Sequence, residues 1–228
     1  MGSIAENLQA VKSRIAVAAR AAGREPGAVT LLAVSKTHAP ALIRQAHAAG
    51  QRAFGENYVQ EALDKMAQLA GLPLEWHLVG PLQSNKTRAV AERFDWVHTV
   101  EREKVARRLA EQRPAGMAPL NVLVQVNASG EASKSGVAPA AVAALAAAIA
   151  AMRHLRLRGL MAIPEPGASR ARFGEIGALF QGLRGEFGLD TLSLGMSDDL
   201  EAAIAAGSTL VRVGTAIFGA RPEVRDAA

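Results

Sequence analysis

Short apolar runs and helical stretches alternate along nearly the whole chain. The apolar runs fall at 30–35, 52–55, 76–79, 95–99, 120–126, 155–161, 191–194 and 210–213. Helical stretches separate them at 40–49, 58–70, 85–93, 101–112, 139–152, 170–186 and 198–206. Gly50, Gly71 and Gly207 close three of these helices and Pro139 opens another. Ser84 and Ser197 stand where side-chain N-caps belong. A helix between two strands returns the chain to the same end of the sheet. The strands are therefore expected to be parallel, joined by right-handed crossovers.

Eight such units in 228 residues point to a (β/α)8 barrel, with an extra amphipathic helix over residues 1–22. We read the chain as a single domain over 1–228. A doubly wound open sheet is the alternative, but it is expected to carry a glycine-rich turn after its first strand. Ser35, Lys36, Thr37 and His38 stand there instead. Half of the residues are hydrophobic and only 4% aromatic, so the core must be built from small and branched side chains.

Several functions are excluded at this level. The chain has no cysteine, hence no disulfide, thiolate metal site or cysteine nucleophile. His38, His47, His77, His98 and His154 lack metal-ligand spacing, so no metal is expected. The alanine-rich stretch 137–152 contains Pro139 and is shorter than the roughly 20 residues of a membrane span. Residues 1–22 carry Glu6, Lys12 and Arg14 and do not read as a signal peptide, so a cytoplasmic location is expected. The net charge of +5 and pI near 10.1 favour an anionic partner, either nucleic acid or a phosphorylated small molecule. The densest basic clusters, Arg107 with Arg108 and the 153–158 stretch, are short and read as solvated helix ends and loops. No nucleic acid is expected.

In a barrel of this kind the site lies at the C-terminal ends of the strands. Those ends deliver Lys36; Gly55, Glu56 and Asn57; His77 and Gly80; Asn127; Met161; Gly195, Met196 and Ser197; and Arg212, Gly214 and Thr215. Lys36 ends an apolar run, where desolvation favours a nucleophilic amine, though a lysine reaching from a strand end to water fits as well. Ser197, followed by Asp198 and Asp199, reads either as a plain cap or as part of an anion cradle. Arg212 sits inside a strand, on the same face as Gly214, and needs a partner if buried; a barrel carboxylate is one choice. His77 is a candidate base or a structural histidine. Lys134, Ser135 and Gly136 form a flap or a turn.

These residues lie in segments that together resemble one family. The segments are AVSKTHAP (33–40), FGENYVQE (54–61), WHLVGPLQSNK (76–86), KSGV (134–137), GLMAI (159–163), LSLGMSDDLEAAI (192–204) and GSTLVRVGTAIFGAR (207–221). They closely resemble the pyridoxal 5′-phosphate homeostasis proteins (YggS/PROSC type), which are similar in fold to the N-terminal barrel of alanine racemases. The resemblance implies a pyridoxal 5′-phosphate cofactor held as a Schiff base on Lys36. It implies that Ser197, Gly214 and Thr215 hold the phosphate, that Arg212 faces the pyridine nitrogen, and that Asn57 and His77 lie near the cofactor. One departure is the short loop Pro164, Glu165, Pro166 and Gly167, where the family usually has a longer one.

The implied chemistry favours a carrier over an enzyme. Arginine can only donate, so opposite the ring nitrogen it would leave that nitrogen unprotonated and the ring a weak electron sink. A low-activity amino-acid racemase is the alternative. It needs a second proton donor opposite Lys36, and His77 is the only candidate. The single tyrosine, Tyr58, is not placed like the racemase tyrosine, and the racemases' second domain is not expected here. The expectation is therefore a monomer without catalytic residues that buffers the cofactor or delivers it to apo-enzymes.

Overall fold

The structure, a computed structural model, describes residues 2–129 and 134–220. Arg221, the last residue of the final quoted segment, lies outside them. Eight parallel strands close into a barrel in chain order, with the last hydrogen-bonded to the first. They are β1 (Thr30–Val34), β2 (Ala53–Glu56), β3 (Glu75–Leu78), β4 (Trp96–Val100), β5 (Leu120–Val126), β6 (Leu155–Ala162), β7 (Thr191–Ser193) and β8 (Leu210–Val213). Around them lie α1 (Ile4–Ala21), α2 (Pro40–Ala48), α3 (Val59–Gln68), α4 (Thr87–Arg93), α5 (Glu103–Gln112), α6 (Val142–Ala150), α7 (Arg170–Phe187), α8 (Leu200–Ala205) and α9 (Thr215–Phe218).

The strict period of two along each strand sorts its residues between two cores. Val97, Val122, Val124, Leu160, Ala162, Leu192, Val211 and Val213 face outward into the large apolar shell shared with the helices. The residues between them face the barrel axis. There they form two small apolar clusters, Leu32, Ala53, Val79 and Leu210 on one side and Trp96, Leu123 and Met161 on the other. Between these clusters the interior is polar, holding His77, His98, Ser193 and Arg212, all buried.

The extra helix α1 starts at a capping box in which Ser3 and Glu6 satisfy each other's backbone N–H groups. It packs mainly on α8 and α9. The alanine-rich stretch is a 3-10 turn followed by α6, which buries Val142, Leu145, Ala146 and Ile149. Among the described residues no helix is long and apolar enough to cross a membrane.

Two expected caps are corrected. Ser84 opens a 3-10 turn, and its carbonyl accepts from Thr87 Oγ1; its side chain does not cap α4. Helix α8 starts at Leu200, not at 198, because Asp199 Oδ1 accepts from the Met196 N–H and folds 197–199 into a turn.

Candidate functional site

Lys36 leaves the C-terminal end of β1 between two anchored neighbours. Ser35 donates its hydroxyl to Glu56 Oε1 at 2.6 Å, and the Thr37 N–H donates to Glu61 Oε1 at 2.6 Å. Behind them Lys65 of α3 is buried. It donates to Ser35 O at 2.7 Å and to Glu56 Oε1 at 2.8 Å, and pairs with Glu61 at 2.6 Å. Thr37 is held at φ 64°, a left-handed conformation costly for a β-branched residue. The charged cluster under the turn thus fixes a backbone that local preference alone resists. Glu56, expected from its strand-end position to face the site, belongs instead to this support and points away from the barrel axis. Burial pushes its carboxyl up from the ordinary range, although Lys65 opposes that.

Six of the seven expected binding residues line one inner chamber of about 340 Å³: Lys36, Asn57, Ser197, Arg212, Gly214 and Thr215. They come from β1, β2, the turn before α8, and β8 with its following turn. Gly214 has an ordinary negative φ, so it is not needed for its backbone freedom; a Cβ there would sit 3.0 Å from Val34 O, at the end of the strand that carries Lys36. Arg212 forms the floor. It donates to Ser193 O and Oγ, both at 2.8 Å, and to Ala162 O at 3.0 Å. None of its described hydrogen bonds or ion pairs is to a carboxylate, so the expected alternative of a barrel carboxylate partner is not what holds it. Burial lowers the guanidinium to about 10, with the charge of Asp199 acting against the fall. It remains a cation at neutral pH.

The seventh residue, His77, is not in the chamber. It is buried one layer down, with Nδ1 2.9 Å from His98 and Nε2 2.8 Å from Glu75, and its ring stacks on Trp96. Val79, two residues on along the same face, lines the chamber instead. Met161 is displaced in the same way: it fills the barrel interior, and Ile163 lines the chamber. Both side chains thus lie deeper than their places at the strand ends led us to expect. His77 is therefore not placed to face Lys36.

The chamber opens toward a larger groove of about 1580 Å³, with which it shares Asn57, Val79, Ile163, Met196 and Asp198. Lys134, Ser135 and the short loop Pro164, Glu165, Pro166 and Gly167 lie along that groove. The 134–136 segment is a turn, tied by Gly136 N donating to Glu101 Oε2 at 2.7 Å and by a bridge from Val137 to Val126. Sequence reasoning missed three contributors. Arg14 of α1 donates to Ser197 O at 3.0 Å and pairs with Glu201, which pins the Ser197 turn from outside. His38 lines the chamber and packs on Phe218. Lys65 supports the Lys36 turn. Of these only His38 had a local signal, two residues after Lys36.

The family described as alanine racemase, N-terminal domain, matches residues 7–222. A pyridoxal phosphate homeostasis protein of Pseudomonas aeruginosa is 63% identical over 225 residues, covering 97% of each chain. The chain belongs to the pyridoxal phosphate homeostasis protein family. The Escherichia coli member is 56% identical and covers 97% of this chain and 98% of its own. PipY of Synechococcus elongatus, solved with PLP bound, is 38% identical, with a TM-score of 0.83 over 95% of this chain and all of its own. The family's barrel is thus the barrel found here.

Proposed function

We propose that this chain binds pyridoxal 5′-phosphate in the inner chamber and serves in its homeostasis, holding the cofactor reversibly without turning over a substrate. The observation that carries this reading is the convergence of Lys36, Arg212, Ser197 and Thr215 on one chamber of a small cofactor's scale. The donor set suits that group. The Lys36 amine can condense with an aldehyde, releasing water. The hydroxyls of Ser197 and Thr215, with the first N–H groups after Gly214, suit a phosphate. The Arg212 guanidinium suits a ring nitrogen that accepts a hydrogen bond. Bound pyridoxal phosphate supplies an electrophilic aldehyde on an electron-withdrawing ring; this protein's residues supply a place to park it.

The absence of turnover is supported by the position of His77, which is buried and already hydrogen-bonded at both ring nitrogens. A racemase would need a second acid or base above the ring, and a His77 engaged in this way is not placed to serve as one. Our reading has a single-domain cytoplasmic monomer that buffers the cofactor and releases it to apo-enzymes through the outer groove. The direct test is an absorbance spectrum before and after borohydride reduction, followed by peptide mapping. We expect a phosphopyridoxyl group on Lys36, and loss of the visible band in Lys36→Ala. An unchanged band in that variant would remove the lysine from the proposal. Fast deuterium exchange at Cα of added amino acids would remove the carrier reading.

A further inference from the structure

A continuous line of hydrogen bonds crosses the barrel beneath the chamber. Arg212 Nη1 lies 2.8 Å from Ser193 Oγ, and Ser193 Oγ lies 3.0 Å from His98 Nδ1. His98 Nε2 lies 2.9 Å from His77 Nδ1, and His77 Nε2 lies 2.8 Å from Glu75 Oε1. The line joins β8, β7, β4 and β3. It starts at the chamber floor and ends at a half-exposed carboxylate at the N-terminal end of β3. Ser193, His98 and His77 are all essentially inaccessible to water.

The chemistry of the members sets one direction for every proton on this line. An ionised carboxylate only accepts, so His77 carries its proton on Nε2. A neutral imidazole has one N–H, so His77 Nδ1 accepts, and His98 must donate from Nε2. His98 Nδ1 then accepts, and the Ser193 hydroxyl must donate to it. The Ser193 lone pairs are left for Arg212, which can only donate. Each link fixes the next. Burial keeps both rings neutral, the hydrogen bond from His77 holds the Glu75 carboxyl below its ordinary range, and the Arg212 charge further disfavours a proton on His98. Asp95 also faces His77, and Arg158 lies 4.6 Å above the Trp96 ring on which His77 stacks.

We propose that Ser193, His98, His77 and Glu75 are positioning residues that fix the orientation of Arg212 at the chamber floor and hold its outer N–H groups toward the ring of the bound cofactor. This rests on the pyridoxal phosphate reading for the identity of the ring, but the proton order itself does not. The guanidinium is planar, so anchoring one edge on Ser193 and Ala162 sets the direction of the other.

The test has two arms. In the first, long-range proton–nitrogen spectra of the imidazoles are recorded on the full chain without cofactor near pH 7.5. We expect both His77 and His98 in the neutral form protonated at Nε2, and a changed His98 signal in Ser193→Ala. A proton on Nδ1 of either ring, or a doubly protonated ring, overturns the proposal. In the second, affinities for pyridoxal phosphate and inorganic phosphate are compared. Ser193→Ala should bind pyridoxal phosphate about tenfold more weakly with phosphate affinity unchanged, the effect of one hydrogen bond to a charged group. Glu75→Leu should shift the visible band and the affinity in the same sense, and Glu75→Gln, whose amide oxygen still accepts, should restore both. If Ser193→Ala and Glu75→Leu are folded and leave band and affinity unchanged, positioning is refuted. If the natural chain shows no band and no affinity, the cofactor reading falls, and the imidazole spectra alone decide the proton order.

Discussion

His77 and His98 are buried rings whose ionisation is coupled to stability. Burial lowers both, His98 well below the ordinary histidine value. The native state therefore refuses protons that the unfolded chain accepts once pH falls below about 6.5. Stability should be full above that value and fall with acid, by up to about 1.4 kcal/mol per pH unit for each ring. Glu56 and Asp95, whose carboxyls burial raises, act in the opposite sense by keeping protons the unfolded chain releases. Urea midpoints from pH 7.5 to 5.5 test the balance, and a midpoint that does not fall toward pH 5.5 would mean that the two rings do not dominate it. At Gly80 the constraint is steric. A Cβ there would lie 2.1 Å from Asn57 O and 2.5 Å from Asn57 Cα, backbone atoms that cannot rotate away. Gly80→Ala should cost about 1–3 kcal/mol, as other overpacked sites do, and weaken cofactor binding by displacing Asn57. A variant as stable as the natural chain would contradict this contact.

Between elements, the decisive contact is the one α3 makes beneath the Lys36 turn. Lys65 carries the positive charge that Glu56 and Glu61 share, and its removal leaves Glu56 buried without a cation. Lys65→Ala should therefore lose about 3–5 kcal/mol near pH 8. Because the Glu56 carboxyl is already raised, it can take up a proton instead, and the loss should shrink toward pH 5. Chemical denaturation at the two pH values measures this; an equal loss at both would show that Glu56 is not the group left exposed to the change. On the opposite side of the site α1 plays a comparable part through Arg14 and the Ser197 turn. Neither support was legible beforehand. Lys65 stands in an ordinary amphipathic helix, and Arg14 is one of many surface-type arginines. The helices themselves were legible from their periodicity. Their starts were not, because caps such as Asp199 and the Ser84 turn depend on backbone geometry.

For the molecule as a whole, closure of the barrel brings residues far apart in sequence into one chamber. If that chamber holds pyridoxal phosphate, loading should stabilise only the folded state. At a concentration 100 times Kd the gain is about 2.7 kcal/mol, worth about 2–4 °C in Tm per kcal/mol for a chain of this size. Thermal melts with and without cofactor check it, and no shift at saturation would count against binding to the native barrel. The basic surface also looks different once folded. Arg158, in the 153–158 stretch read as solvated, donates to Asp190 and Asn121 and covers Trp96, so part of the positive charge serves the lower end of the barrel. The sequence by itself determined the eight-unit alternation, the parallel barrel, the family, and the strand ends that contribute Lys36, Asn57, Ser197, Arg212, Gly214 and Thr215. A period of two tells which face of a strand a residue occupies, as it does for Arg212 and Gly214. It does not tell depth along the barrel axis. Depth is set by how neighbouring strands are staggered when the sheet closes, a property of all eight strands together. Only the tertiary structure could therefore put Val79 and Ile163 at the chamber wall, and His77 one layer below it in a line of protons running to Glu75.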